Sequence, residues 1–184
     1  DSFILFLGRF NKVKGIDVLI NAINLIKNNS EFKKTQLLIM GVDFGYEEEM
    51  LQLIGQYNLQ DKIKVIKNPS RKEVISAYNE REFLVLPSRW ELSPLTPLEG
   101  FVFKKPVISS NVHGIPYTVT HNVNGILVEP ENHKELANAI TELLTDKNKR
   151  LAYGNAGYHL VDSVCNSTIM SKEILKVYEK TINR

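Results

Sequence analysis

The sequence predicts an α/β protein built on a parallel sheet, and three features of the chain lead to that expectation. Short apolar runs of strand length alternate with segments of helical periodicity along the 184 residues. The strand-like runs, such as FILFL and FLVL, are apolar throughout, as in strands covered on both faces. Glycine and polar residues follow several of these runs, where the loops at one edge of such a sheet would lie. We therefore expect a doubly wound, Rossmann-like parallel sheet with helices on both faces.

The first half of the chain is predicted to hold three strands and three helices. The strands are expected at residues 3–7, 35–40 and 63–66, with Gly41 directly after the second. Apolar residues recur at helical spacing from residue 16 to residue 26 and predict the first helix. A second helix is expected at 47–57. It would begin with three consecutive glutamates, and acids in a first turn complement the helix dipole. Ser70 is a suitable N-cap for a third helix that reaches about residue 79.

The second half is predicted to continue the alternation and to end in helices. Residues 81–86 lead into a fourth strand, and further strands are expected at 107–109 and 125–128. A short helix is expected around 98–103. Its start fits a capping box, with Thr96 as N-cap, Pro97 at the first helical position and Glu99 at the third. The remaining helices are expected at 133–144, 146–161 and 167–182.

Composition excludes several classes of protein. The 23 Lys and Arg against 21 Asp and Glu give a net charge of only +2, without a basic block, so nucleic acid is not an expected partner. No apolar stretch reaches membrane-spanning length, no signal peptide is visible, and the single cysteine allows no internal disulfide. We expect a cytoplasmic protein. The four histidines show no metal-site spacing and the chain lacks Asp-x-Asp, so neither a metal nor another cofactor is expected.

Two cations follow the first predicted strand, in the segment GRFNKVKG. In doubly wound sheets a ligand binds outside the carboxyl ends of the strands, where Gly8, Arg9 and Gly41 are expected to lie. Arg9 and Lys14 would suit a diphosphate, although they could equally be ordinary solvated charges. The segment has neither the G-x-G-x-x-G of a dinucleotide site nor the G-x-x-x-x-G-K-[ST] of a P-loop.

Two carboxylates follow the fourth predicted strand, with seven residues between them in RWELSPLTPLEG. Glu91 is expected in a loop, and Glu99 is either a ligand of sugar hydroxyl groups or simply the third residue of the capping box. Pro94 and Pro97 rule out one continuous helix through both carboxylates. They mark a corner between loop and helix, and the first turn of such a helix offers free N–H groups to an anion.

These segments together resemble the C-terminal domain of the group 1 glycosyltransferases, a large retaining family with the GT-B fold. FLGRFNKVKGIDVLINAI is similar to the opening of that domain, and LLIMG to its second strand and glycine. VLPSRWELSPLTPLEG resembles the family's two-glutamate signature, and KKPVISSNVHGIPYTVTHNVNGILVEP the segment that closes the donor site. STIMSKEILKVYEK resembles the terminal helix, so the resemblance covers essentially all 184 residues.

The resemblance implies a function and a role for each candidate residue. Family members transfer a sugar from a nucleotide-diphosphate sugar to an acceptor, with retention at the anomeric carbon. Arg9 and Lys14 match the pair that neutralises the diphosphate, Glu99 the carboxylate that takes the ribose hydroxyls, and Glu91 the one near the donor sugar. The catalytic group would be Glu91, Arg9 and Lys14. Further donor contacts would come from Gly8, Gly41, Arg89, Ser93, Pro94, Leu95 and Thr96.

The chain also departs from the family pattern. Leu92, Ser93 and Pro94 stand where the family usually has a glycine-bearing stretch, which leaves open the sugar bound and the level of activity. His113 replaces the first of two glycines, Lys104 replaces a glycine before Lys-Pro-Val, and Tyr117 replaces an acidic residue.

The expected protein is thus the donor-binding domain of a hexosyl-transferring glycosyltransferase. Because the chain lacks an initiating Met, we expect residues 1–184 to be a domain whose N-terminal acceptor domain is missing, and hence inactive in isolation. Peripheral membrane association is expected of the full-length protein alone. The alternatives are an inactive nucleotide-sugar-binding module of the same fold or, with less support, an epimerase-like domain.

Overall fold

The computed structural model describes residues 2–182, which form a single parallel sheet with helices on both faces. The strands are β1 (Ser2–Leu7), β2 (Thr35–Gly41), β3 (Ile63–Lys67), β4 (Leu84–Leu86), β5 (Val107–Ser110) and β6 (Gly125–Val128). Their order across the sheet is β3-β2-β1-β4-β5-β6, and every neighbouring pair is parallel. The strand order reverses between β1 and β4. This arrangement confirms the doubly wound, Rossmann-like fold.

The helices cover the two faces of the sheet in separate groups. They are α1 (Ile16–Ile26), α2 (Ser30–Lys33), α3 (Glu47–Gln56), α4 (Arg71–Glu80), α5 (Leu95–Val102), α6 (His133–Thr145), α7 (Lys147–Val164) and α8 (Ser167–Ile182). The core on one face takes its helical residues mainly from α1, α3 and α6. The core on the other face takes them from α4, α5 and α7.

Alternation along β1 shows why the strand-like runs are apolar throughout. Ile4 and Phe6 are fully buried beneath the first group of helices, whereas Leu5 is fully buried beneath the second. Successive side chains of a strand point to opposite faces, so both sets must be apolar. Full burial of each such side chain contributes about 1.5–3 kcal/mol.

The predicted start of α5 is wrong. The helix begins at Leu95, with Pro94 as N-cap in an extended conformation (φ −70°, ψ 130°), so Thr96 lies inside the first turn and caps nothing. Pro97 then occupies the third helical position. Because none of the first-turn N–H groups has an intrahelical partner, proline fits any of these positions, and the Thr-Pro-x-Glu pattern cannot fix the first residue.

The other predicted boundaries differ from the observed ones by a few residues at most, and α2 was not expected. The cap predicted for α4 is confirmed, because the Ser70 hydroxyl accepts from the Glu73 N–H and Glu73 accepts from the Ser70 N–H at 2.7 Å. No helix in the described part of the chain is long and apolar enough to cross a membrane.

Candidate functional site

The loops that follow β1, β2, β4 and β5 meet at the carboxyl edge of the sheet and are joined by backbone hydrogen bonds. The Phe10 N–H donates to the Val42 carbonyl at 2.8 Å, which joins the β1 and β2 loops. The Arg89 N–H donates to the Val13 carbonyl at 2.8 Å, which joins the β1 and β4 loops. The Gly114 N–H donates to the Glu91 carbonyl at 3.0 Å, which joins the β5 loop to the β4 loop. The four loops thus form one connected surface, on which the sequence had placed the candidate residues.

A close backbone contact explains the glycine after β2. A Cβ atom on Gly41 would stand 1.8 Å from the carbonyl oxygen of Gly8, so no other residue fits there without moving the β1 loop. The Gly8 N–H in turn donates to the Met40 carbonyl at 3.0 Å. Both predicted glycines therefore shape the edge of the sheet that carries Arg9 and Lys14.

The structure brings Lys14 and Glu91 together. The Lys14 Nζ atom lies 2.5 Å from Glu91 Oε1, and the two side chains are only 15% and 10% exposed. The hydroxyl of buried Ser88 donates to the same oxygen at 2.8 Å. A cation from the β1 loop and a carboxylate from the β4 loop are thus held as a mostly buried, hydrogen-bonded pair.

Arg9 has a different environment from Lys14. It is exposed, and its guanidinium lies 5.2 Å from the ring centroid of Phe44 in the β2 loop. A guanidinium over an aromatic face keeps its N–H edges free to donate, so Arg9 can meet an anion that approaches from solvent.

Arg89 anchors the loop that carries Lys14. Its guanidinium binds Asp17 of α1 through two hydrogen bonds of 2.8 and 2.7 Å, and its Nε donates to Glu131 at 3.1 Å. It also donates to the Lys12 carbonyl at 2.5 Å. Burial would raise the pKa of Asp17, but the hydrogen bond and charge of Arg89 outweigh it and lower that pKa. These contacts occupy the guanidinium, and its predicted role as a donor contact stays a prediction.

Glu99 lies on α5 and has its own partner. The hydroxyl of Tyr78 on α4 donates to Glu99 Oε2 at 2.6 Å. Glu99 is exposed and borders a groove between α4 and α5, whose walls include Arg71, Val74 and Val102. The two carboxylates of the signature therefore have separate contacts, Glu91 with Lys14 and Glu99 with Tyr78.

The N-terminus of α5 opens onto the same edge of the sheet. Ser93 and Leu95 are exposed, Thr96 is half-buried and Pro94 is buried. Among residues 2–182 no side chain caps this helix. The first-turn N–H groups of Leu95 and Thr96 have no intrahelical acceptor, so they can donate to an anion.

The glycine-rich part of the site is preserved at Gly114 but not at its neighbour. A Cβ on Gly114 would stand 1.5 Å from the Leu92 carbonyl oxygen. The Gly114 N–H donates to the Glu91 carbonyl at 3.0 Å. His113 adopts a φ of +40° and Lys104 a φ of +54°. The backbone therefore has a glycine-like conformation at His113 and at Lys104, two of the positions where this chain departs from glycine.

Sequence reasoning missed Ser88, Asp17 and Tyr78, the groups that hold the candidate residues in place. Ser88 carried a weak signal, since it ends the apolar run three residues before Glu91. Asp17 and Tyr78 lie in helices far along the chain from their partners, and nothing in their local pattern marks them. Within residues 2–182 no group of three or more His, Cys, Asp or Glu side chains could hold a metal.

Comparison with known proteins identifies the family. The sequence profile of the family described as glycosyl transferases group 1 matches residues 1–160. An uncharacterised glycosyltransferase of Methanocaldococcus jannaschii is 33% identical over 168 residues, covering 85% of this chain and 42% of that protein.

Solved structures are also similar along almost the whole chain. Sucrose-phosphate synthase of Thermosynechococcus elongatus has a TM-score of 0.87 and 26% identity, covering 100% of this chain and 46% of that one. Anabaena HepE, solved with UDP-glucose, has a TM-score of 0.87 and 20% identity, covering 98% of this chain and 49% of that one. The chain spans less than half the length of each of these relatives. With the fold of a GT-B glycosyltransferase domain and the matching family profile, the chain belongs to the group 1 glycosyl transferases.

Proposed function

We propose that this chain is the donor-binding part of a retaining enzyme that transfers a hexosyl group from a nucleotide-diphosphate sugar to an acceptor. The observation that carries the proposal is the buried Lys14–Glu91 pair at the carboxyl edge of the sheet. It lies in loops that a backbone hydrogen bond joins, close in sequence to the uncapped N-terminus of α5. HepE, which shares the fold, was solved with UDP and with UDP-glucose, which supports a nucleotide sugar as the ligand.

The diphosphate would be bound by Lys14, Arg9 and the N–H groups at the start of α5. The leaving nucleoside diphosphate gains negative charge as the glycosidic bond breaks, and fixed cations and dipoles stabilise that charge in the transition state. These groups can act without a metal ion, so we expect transfer to be metal-independent.

Lys14 would exchange partners when the donor binds. In the structure its ammonium group pairs with Glu91 at 2.5 Å. A diphosphate competes for that ammonium group, and Glu91 is then free to accept hydrogen bonds from hydroxyl groups of the donor sugar. Glu99 would accept from the ribose hydroxyls.

The acceptor would bind to another part of the full-length protein. The chain covers 42% and 49% of two of its relatives, and several apolar side chains near the site are exposed, among them Tyr117 at 93% and Leu92 at 71%. A second domain that covers this surface would complete the cleft. We expect the full-length enzyme to act in the cytoplasm, with peripheral membrane association possible only for that longer protein.

A second candidate function is a nucleotide-sugar-binding module without turnover. The observation that favours it is the segment Leu92 to Pro94, where a bulky exposed side chain and a missing N–H replace the family's glycine-bearing stretch. The family assignment favours both readings over an epimerase-like domain.

Two measurements test the proposal. Calorimetry in EDTA with UDP, GDP and ADP, and with their glucose conjugates, should show metal-free binding to the 184-residue chain. The full-length protein should transfer the sugar with retention, as read from the anomeric proton of the product, whereas this chain alone should not. Binding that appears only with magnesium or manganese would contradict the charge balance, and binding without transfer by the full-length protein would favour the binding module.

A further inference from the structure

A buried arginine joins the helix that carries Tyr78 to the helix that carries Glu99. Arg81 is 0% exposed. Its guanidinium donates to the carbonyl of Ala77 at 3.5 Å and to the carbonyl of Gly100 at 3.3 Å. Ala77 precedes Tyr78 on α4, and Gly100 follows Glu99 on α5, so the guanidinium spans the two helices at the level of these two side chains.

This guanidinium is poorly satisfied for a buried cation. Its Nε atom has no hydrogen-bond partner among residues 2–182, and both of its carbonyl contacts are long. Burying an unpaired charge costs desolvation free energy, so another favourable contact must offset it. Two aromatic rings supply one, because the guanidinium lies 4.5 Å from the ring centroid of Tyr78 and 5.9 Å from that of Phe103.

The two rings are themselves locked together. Tyr78 and Phe103 are stacked with their centroids 5.5 Å apart and their planes within 8°. Burial and the contact with Glu99 raise the pKa of Tyr78, so its hydroxyl stays protonated and can act only as the donor in its bond to that carboxylate. The hydroxyl is thus presented to Glu99 by a ring that packs against both Phe103 and Arg81.

We propose that Tyr78 is a positioning residue for Glu99, and that Arg81 and Phe103 hold Tyr78 for this task. The inference rests on the proposed function, in which Glu99 accepts from the vicinal hydroxyl groups of the donor ribose. The Tyr78 hydroxyl donates to Oε2 of Glu99, while Glu99 as a whole is exposed, so a ligand in solvent can reach this carboxylate.

Positioning matters because a glutamate on an exposed helix turn samples several rotamers. A carboxylate fixed before the ligand arrives loses less conformational freedom on binding, so the same two hydroxyl groups are bound more tightly. By fixing Glu99, Tyr78 therefore strengthens the preference for ribose over a sugar that lacks these hydroxyls.

The experiment compares one nucleoside diphosphate with its 2′,3′-dideoxy counterpart. The nucleotide is whichever of UDP, GDP and ADP binds the 184-residue chain most tightly by calorimetry in EDTA. The parent should prefer the ribonucleotide by about tenfold or more. Tyr78→Phe keeps the ring and should weaken ribonucleotide binding about three- to tenfold, leaving dideoxynucleotide binding within about twofold.

Tyr57→Phe is the matched control. Its hydroxyl donates to Asn21 Oδ1 at 2.7 Å, so this variant loses a comparable hydrogen bond at a place that does not touch Glu99. It should keep the parent's preference for ribose. Arg81→Met, which removes the guanidinium but keeps a long apolar side chain, should lower the preference as Tyr78→Phe does.

The outcomes separate the inference from the proposed function. A parent that binds none of the nucleotides overturns the proposed function and the inference with it. A parent that prefers ribose while Tyr78→Phe keeps the same preference overturns the positioning role alone. Equal losses for both ligands in Tyr78→Phe would reveal a general structural effect and would also overturn the positioning role.

Discussion

At the residue scale, the pairing of Lys14 with Glu91 changes what a substitution should do. Glu91→Gln removes the charge that holds Lys14, so its ammonium group becomes available to a diphosphate. We expect the bare nucleoside diphosphate to bind about three- to tenfold more tightly, which is roughly 0.7–1.4 kcal/mol. The complete nucleotide sugar should gain less or lose affinity, because its sugar loses a charged acceptor. Calorimetry in EDTA with both ligands measures the two effects.

Ser88→Ala is the control for this prediction. It removes the hydroxyl that donates to Glu91 Oε1 at 2.8 Å but leaves the ion pair in place. The Ser88→Ala variant should bind the nucleoside diphosphate with an affinity within about twofold of the parent's. If Glu91→Gln bound this ligand no better than the parent, the partner exchange of Lys14 would be wrong.

The candidate residues could be named from the sequence, but their contacts could not. Two cations after one strand and two carboxylates after another indicate one edge of a parallel sheet. The Lys14–Glu91 pair joins residues 77 positions apart, and its formation depends on the meeting of the two loops. Tyr78 was missed for the same reason, since only the packing of α4 against α5 brings its hydroxyl to Glu99.

At the scale of elements, α5 ends in a left-handed residue that is not glycine, and this conformation lowers the stability of the fold. The N–H groups of Lys104 and Lys105 donate to the carbonyls of Phe101 and Gly100, which is the Schellman arrangement. Lys104 lies at its left-handed position, with a φ of +54°. Glycine adopts this conformation freely, whereas a residue with a Cβ atom does not.

We predict that Lys104→Gly is more stable than Lys104→Ala by about 1 kcal/mol. Both variants lose the contact of the ammonium group with the ring of Tyr158, 4.8 Å away, so their comparison isolates the backbone term. Thermal unfolding should show a difference of about 2–4 °C in midpoint for a domain of this size. Equal midpoints would mean that the left-handed turn carries no cost.

Strands were predicted more reliably than helix starts, for a physical reason. Burial on both faces makes the central strands β1 and β4 runs of mostly apolar residues, and that composition is visible without a partner. The start of α5 depends instead on which of two prolines precedes the first turn, and both are compatible with the local sequence. Ser70 was identified as a cap because serine before an amphipathic segment is a local signal, and the structure adds Glu73 as the second half of its capping box.

At the scale of the whole molecule, Arg89 ties three parts of the chain together. It joins the β4 loop to Asp17 of α1, to Glu131 after β6 and to the Lys12 carbonyl. The pKa of Asp17 is lowered from 3.8, so its ionised form is favoured in the folded state. The stability that it contributes is therefore complete above pH 3.8 and is lost as the pH falls through the lower folded value.

Asp17→Asn should consequently be less stable than the parent at neutral pH, by about 1 kcal/mol for this partly exposed pair. The difference should shrink as the pH falls below 3.8, where the parent's carboxylate also becomes neutral. Urea unfolding at a series of pH values measures it. A difference that stays constant across the acid range would show that the charge of Asp17 does not contribute.

The last helix provides a test of how this chain fits into the longer enzyme that we propose. One side of α8 carries a stripe of apolar side chains, each at least 51% exposed: Met170, Ile174, Val177 and Tyr178. Such a stripe is typical of a helix that packs against another domain. We predict that Ile174→Asp leaves the midpoint of this chain nearly unchanged, because the side chain is already half in solvent.

The same substitution in the full-length protein should lower its unfolding midpoint, because a charge would then be buried without a partner. Lys172→Asp, on the opposite side of α8, should have little effect in either protein. Calorimetric scans of the two proteins and the two variants give four comparisons. Equal, small effects of Ile174→Asp in both proteins would show that the stripe stays exposed in the full-length protein. The second domain would then have to pack against this one through other contacts.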